Sequence, residues 1–183
     1  RKGDDNLVLE PLIEYLSQWP DEVIFTFQDK MSELLYALDD PAIAKDLYGE
    51  TDYISGDAFL YARCVALING KAYYNGVLNR KKKIKKGLEF EAILSVPVKA
   101  WERKHKKSTD LYPYISEVSY ETGSNIKLWS NANSCSLEAR SEIKEDKKVE
   151  YLVSGWESIY FILTPSELSE LTAGFHFVIN YAH

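Results

Sequence analysis

The chain has 183 residues, the size of one domain or of one domain with a small appendage. Hydrophobic residues make up 45 % and charged residues 27 %, which is typical of a folded globular protein and excludes wholesale disorder. No apolar run approaches the roughly 18 residues of a membrane span. The two cysteines and three histidines form no zinc-binding pattern. We therefore expect no membrane association and no metal or other cofactor.

The formal net charge of −6 conceals three segments of very different charge. Residues 1–59 contain 14 acidic and 4 basic side chains, a net of −10, whereas residues 60–107 contain 3 and 13, a net of +10. Residues 108–183 return to a net of −6. Such asymmetry indicates complementary surfaces within the fold or a charged partner. We expect part of the basic segment to neutralise the first helices, and the remaining acidic surface to face a partner.

The N-terminal part of the chain carries the 3.6-residue hydrophobic period of amphipathic helices. Leu9, Leu12, Ile13 and Leu16 share one apolar face, and Ser55 is a natural N-cap for a largely apolar helix. Helices are predicted over residues 7–19, 23–38, 42–47, 57–68, 71–78, 88–94 and 98–105, the last two separated near Pro97. Residues 80–86 are predicted to be a basic loop or helix end.

After residue 112 the pattern changes to short segments rich in β-branched and aromatic residues, separated by Gly, Asn, Ser or charged turns. Strands are predicted over residues 114–120, 126–130, 135–140, 148–153, 158–164 and 175–181. The sequence therefore predicts an α+β fold, in which a helical domain at 1–112 is followed by a β-rich portion of antiparallel strands at 113–183, packed on the helices.

Several blocks of the sequence resemble, in order and spacing, those of a bacterial family known as domain of unknown function 4240. The blocks are KGDD (2–5), LYALD (35–39), SGDAFLYARC (55–64), NG (69–70), LEFE (88–91), AWERK (100–104) and VSYETGSN (118–125). The resemblance covers roughly residues 2–129. It implies a mainly helical fold and a cytoplasmic bacterial context, which the two widely spaced cysteines also fit, and it supplies no reaction and no catalytic residues.

Arg63 is the first candidate site residue, because a cation in an apolar helix needs a carboxylate, for which Glu89 or Glu91 is the natural candidate. Such a cluster could bind an anion at the base of a pocket, or it could be an ion pair that joins two helices. Asp57 suits the first turn of its helix. Because positions i and i+2 of a helix do not face each other, Glu89 and Glu91 do not suggest a glycosidase-type acid/base pair.

A polar loop supplies three more candidates, Tyr120, Glu121 and Asn125, around a turn that Gly123 assists. Their side chains could hydrogen-bond a ligand. Alternatively, Glu121 and Asn125 satisfy backbone groups at the junction of the helical and β-rich portions.

The basic run at 80–86 raises the question of nucleic-acid binding. Further cations and interleaved aromatic residues follow or precede it: Lys99, Arg103, Lys104, Lys106, Lys107, Tyr73, Tyr74 and Trp101. The isoelectric point of about 5.2 and the acidic segments on both sides argue against a nucleic-acid partner. The alternative is a solvated lysine surface, or one that neutralises the acidic helices.

The absence of a catalytic constellation, the acidic ends and the 13 tyrosines and 4 tryptophans favour a non-catalytic binding protein of the bacterial cytoplasm. In its specific form this is an immunity or antitoxin-like protein that neutralises a basic, nuclease-type toxin by direct contact. The alternative is an enzyme or small-ligand-binding protein with a site around Arg63, Glu89 and Glu121. Convergence of those side chains on an open pocket would favour the alternative, whereas their burial and mutual pairing would count against it.

Overall fold

A computed structural model describes residues 5–49 and 54–132 of the chain. Within these ranges it contains seven α-helices and two short 3-10 helices, and no β-strand. The α-helices are α1 (Asp5–Ser17), α2 (Asp21–Ala37), α3 (Pro41–Tyr48), α4 (Gly56–Ile68), α5 (Lys71–Leu78), α6 (Val96–His105) and α7 (Ile126–Ala132). The 3-10 helices are Glu91–Ser95 and Thr109–Leu111.

The first helices form where the hydrophobic period predicts them. The four apolar residues predicted to share one face of α1 are all buried. Helix α2 begins directly after Pro20 with two acidic residues in its first turn, where the helix dipole favours them. Asp40 caps α3 by accepting a hydrogen bond from the Ala42 amide at 2.7 Å. The Ser55 hydroxyl accepts one from the Ala58 amide at 3.4 Å and begins α4 as predicted.

Helix α4 is the most deeply buried element, because almost every residue from Phe59 to Ile68 is inaccessible to solvent. It contacts α2, α5 and the 3-10 helix Glu91–Ser95. Helix α6 packs across α1 and α2 on another side of the body. Pro97 lies in the first turn of α6, which begins at Val96, and there its missing amide hydrogen costs no helical hydrogen bond. Arg63, on α4, is consequently placed inside the helical body.

The predicted α+β fold is wrong for the part of the chain that the structure describes. Residues 126–130, predicted as a strand, lie in helix α7. Residues 114–120 show the alternating burial of an extended chain, but between 113 and 118 no backbone group bonds to a described residue. Alternation of buried and exposed residues indicates an extended chain, whereas a β-strand also needs a neighbouring strand with which its backbone forms hydrogen bonds. The other four predicted strands lie outside the described residues, and the domain boundary at 112/113 stays a prediction.

None of the helices in residues 5–49 and 54–132 has both the length and the apolar character needed to cross a bilayer.

Candidate functional site

The Arg63 guanidinium is completely buried and bonds to groups that its sequence context did not indicate. One terminal nitrogen donates to the Leu35 carbonyl at 2.8 Å, at the end of α2. The other donates to the Tyr120 carbonyl at 2.9 Å and to the Thr122 hydroxyl at 3.0 Å. The Phe59 ring lies 4.9 Å from the guanidinium carbon. Arg63 therefore fastens the loop at 120–122 to the helical body.

The expected pairing of Arg63 with Glu89 or Glu91 is wrong. The groups that accept its hydrogen bonds are two carbonyls and one hydroxyl. Burial lowers the pKa of Arg63, and the negative charges of Asp39 and Glu121 oppose that shift. With its terminal nitrogens already bonded, this guanidinium does not form the open anion site that the enzyme alternative requires.

Asp39 is a buried carboxylate that the sequence analysis missed. Its oxygens accept hydrogen bonds from the Gly123 amide at 3.1 Å, the Asn125 amide at 2.9 Å and the Trp129 indole at 2.9 Å. The Asn125 side-chain amide donates to the Tyr36 carbonyl at 3.2 Å. Asn125 thus satisfies backbone groups, the structural alternative predicted for it. The sequence did not single out Asp39 because it belongs to the segment Asp39-Asp40-Pro41, which is typical of the end of a helix. Capping of the next helix explains Asp40 and requires nothing of Asp39.

The remaining candidates flank the first two turns of α4. The Phe90 amide donates to the Tyr61 carbonyl at 3.1 Å, which holds Glu89 and Glu91 beside this helix. The Thr122 hydroxyl donates to the Gly56 carbonyl at 2.7 Å, which holds the adjoining Glu121 near the start of the helix, beside Asp57. All four carboxylates are exposed. We call Asp57, Glu89, Glu91 and Glu121 the acidic face.

Each carboxylate of the acidic face acts on a nearby tyrosine. The Tyr61 hydroxyl donates to Glu91 at 3.1 Å, and this bond, with the charges of Glu91 and Asp57, raises the pKa of Tyr61. Burial and the charge of Glu89 raise the pKa of Tyr48. Burial and the charge of Glu121 do the same for Tyr120. Three partly exposed tyrosines, Tyr48, Tyr61 and Tyr120, therefore lie within the electrostatic influence of the acidic face.

Helix α6 pairs with three acidic residues of the first two helices, so part of the basic segment neutralises these helices, as the charge pattern predicted. Arg103 bonds to Glu10 at 2.6 Å and to Glu14 at 3.0 Å. Lys104 and His105 bond to Asp21 at 2.6 and 2.9 Å. Partial burial opposes the ionisation of Asp21, but these two hydrogen bonds outweigh it and lower the pKa of Asp21. By contrast, no residue of the acidic face forms an ion pair with a described cation.

The carboxylates of the acidic face are not grouped closely enough to hold a metal ion. In the described ranges, no group of three or more His, Cys, Asp or Glu side chains is placed to hold a metal ion. Cys64 lies beneath the face, and burial raises the pKa of its thiol to about 12, which disfavours the thiolate that a nucleophile requires.

Comparison with known protein families gives a match over the N-terminal part of the chain. A family model described as a protein of unknown function (DUF4240) matches residues 1–103. Neither the curated proteins nor the solved structures contain a significant match to the chain. The matched range includes Asp39, Arg63 and three residues of the acidic face, and it ends before the loop at 120–125 that Asp39 and Arg63 hold.

Proposed function

The chain belongs to the DUF4240 family, whose description assigns no activity, and we propose that it is a non-catalytic binding protein of the bacterial cytoplasm whose acidic face engages a basic protein. In its specific form, the partner is a nuclease-type toxin that the chain neutralises by direct contact. The observation that carries this proposal is that some carboxylates of the described residues form ion pairs with cations, whereas others do not. Glu10, Glu14 and Asp21, on α1 and α2, are paired with cations of α6, whereas the carboxylates of the acidic face have no cationic partner among the described residues.

Unpaired exposed carboxylates create a negative potential that accelerates encounters with a basic protein. Tyr48, Tyr61 and Tyr120 supply amphipathic aromatic surface of the kind that is enriched at the centres of interfaces. Carboxylates and tyrosines together favour a protein partner over a small cation.

The enzyme alternative lacks comparable support. Arg63 is buried and its terminal nitrogens are bonded to the protein, while Glu89 and Glu121 project at the surface. The three side chains do not converge on an open site, and such convergence is the outcome that would favour the alternative. They are also not buried and paired with one another, because both glutamates are exposed.

The experiment is a binding measurement with the purified product of the adjacent toxin-like gene, at about 50 and 300 mM salt. We expect micromolar or tighter binding and an association rate constant that falls as salt rises. Replacing three carboxylates of the acidic face, in the variant D57N/E89Q/E121Q, should slow association about tenfold or more. Glu91 is kept so that its bond to Tyr61 survives.

The matched control is E22Q/E102Q/E117Q, which changes the net charge equally at carboxylates outside the acidic face. It should keep most of the association rate. No binding at micromolar concentrations would refute the proposal, and equal slowing by both variants would show that net charge, rather than this surface, is responsible.

A further inference from the structure

The loop at 80–86 carries six basic residues in seven positions, all of them exposed. Asp46 on α3 bonds to Arg80 at 2.8 Å and approaches Lys83 to 3.6 Å. Lys81, Lys82, Lys85 and Lys86 have no carboxylate partner among the described residues. We call these seven residues the lysine loop.

The backbone of the lysine loop is held in place. The amides of Arg80, Lys81 and Lys82 donate to carbonyls at the end of α5, at 2.8–2.9 Å. The Tyr73 hydroxyl donates to the Lys83 carbonyl at 2.9 Å, and the Ile84 side chain is buried in the core. The stem of Lys82 crosses Gly76 so closely that a Cβ there would lie 2.8 Å from it. The lysines thus project from a fixed chain, which reduces the ordering cost of binding.

This loop contains the largest group of cations in the basic segment that have no carboxylate partner among the described residues; Lys71, Lys106 and Lys107 also have none. On α6, Arg103, Lys104 and His105 bond to carboxylates, and Lys99 bonds to the Asn6 side chain at 2.7 Å. The four lysines that lack a carboxylate partner in the described ranges repel one another, and the fixed backbone keeps their Cα atoms close together. Lys82 also lies 5.5 Å from the Tyr73 ring. We propose that the lysine loop binds the phosphodiester backbone of a nucleic-acid duplex, without reading its sequence.

A duplex backbone fits because it presents about one negative charge per 1.7 Å of axis, so that several lysines can be neutralised at once. Lysine acts as a point charge toward phosphate and needs no particular orientation. The net charge of −6 does not oppose this binding strongly, because charges more than about 8 Å away are largely screened at physiological salt. The potential at the loop is set mainly by the lysines themselves.

The experiment is fluorescence anisotropy with labelled duplex DNA and, separately, duplex RNA of about 20 base pairs. If the four unpaired lysines each contact one phosphate, the slope of log K against log salt is about −3.6. Affinity should then fall about 150-fold between 50 and 200 mM salt. In K81Q/K85Q/K86Q only Lys82 remains of the four, so the fall should be about threefold, and binding at 50 mM should be at least about tenfold weaker.

The control variant K106Q/K107Q/K127Q removes the same charge from exposed lysines elsewhere and should keep the wild-type slope. Urea unfolding of both variants checks that the fold is retained. A preference for DNA or RNA would identify the ligand, and equal binding to both would also support a backbone contact. The proposal is overturned if neither duplex binds at about 100 µM protein, if the control loses as much affinity as the loop variant, or if polyglutamate binds and the duplexes do not.

Discussion

The bonds at Asp39 predict how firmly residues 123–129 are attached to the helical body. In Asp39→Asn the side chain keeps its shape but loses its charge, and one acceptor oxygen becomes an NH₂ donor. The native carboxylate accepts from the Gly123 and Asn125 amides and from the Trp129 indole. The carbonyl oxygen of asparagine can serve Gly123 and Trp129, which share one oxygen of Asp39. The backbone amide of Asn125 would then face the NH₂ group of the new asparagine, so that two donors would meet without an acceptor.

The size of the effect follows from these contacts. A hydrogen bond to a charged group contributes about 1.5–3 kcal/mol, and a buried unsatisfied amide costs about 1–3 kcal/mol. The buried guanidinium of Arg63 also loses the negative charge that favours its ionised form. Because these contributions overlap, we expect Asp39→Asn to lower the free energy of unfolding by about 3 kcal/mol.

The assay is urea unfolding followed by circular dichroism, combined with hydrogen exchange of the backbone amides. Asp40→Asn is the matched control, because the same substitution one residue later falls on the cap of α3, where asparagine serves as well as aspartate. We expect the control to change stability by less than about 0.5 kcal/mol. In Asp39→Asn, exchange should rise first in residues 123–129. If both variants unfold within about 1 kcal/mol of each other, Asp39 does not anchor this segment.

Three further predictions concern other described residues. Because the pKa of Asp21 is lowered in the folded protein, its ion pairs stabilise the fold above the usual value of 3.8 and lose their effect as pH falls through the lowered pKa. The stability difference between wild type and Asp21→Asn should therefore shrink between pH 5 and pH 2, and a constant difference would contradict this reasoning. Since burial raises the pKa of Cys64 to about 12, a Cys135→Ser variant should react with a thiol reagent at pH 8 only after urea unfolds it; fast reaction of the folded protein would show that the thiol is accessible. Thr122→Val removes a hydroxyl that accepts from Arg63 and donates to Gly56, so it should cost about 1–2 kcal/mol in urea unfolding, and a neutral result would mean that water replaces both bonds.

Helices α1 to α6 could be predicted from the sequence because each is specified by nearby residues. Leu9, Leu12, Ile13 and Leu16 mark the buried face of α1 by spacing alone, and Ser55 marks the start of α4 by its residue type. Proline and glycine positions then divide one helix from the next. Such local signals need no knowledge of which element packs against which.

The partners of the buried charges could not be predicted, because they come from distant parts of the chain. Arg63 bonds to groups 28 to 59 residues away, and two of its three acceptors are carbonyls, which every residue carries. From the sequence alone, a carboxylate is the expected partner of a buried arginine, and Glu89 or Glu91 was therefore predicted for Arg63. The same limitation explains the strand wrongly predicted at 126–130, because the bonds from Asn125 and Trp129 to Asp39 require those two residues to lie about one helical turn apart.

The ion pairs of the described residues show how the fold separates charges that are close in the sequence. Lys86 and Glu89 are only three residues apart, yet they belong to surfaces of opposite sign. Ile84 and Phe90, both buried, fix the chain on either side, and Gly87 turns it between them with a φ of +77°. These anchors hold the lysine loop on α5 and the two glutamates beside α4. Lys86 and Glu89 therefore form no ion pair, although they are close along the chain. Arg103 and Lys104 pair with carboxylates more than 80 residues away, whereas Lys86 and Glu89 stay apart. The described residues therefore present two charged surfaces of opposite sign, and the two proposals assign them partners of opposite charge.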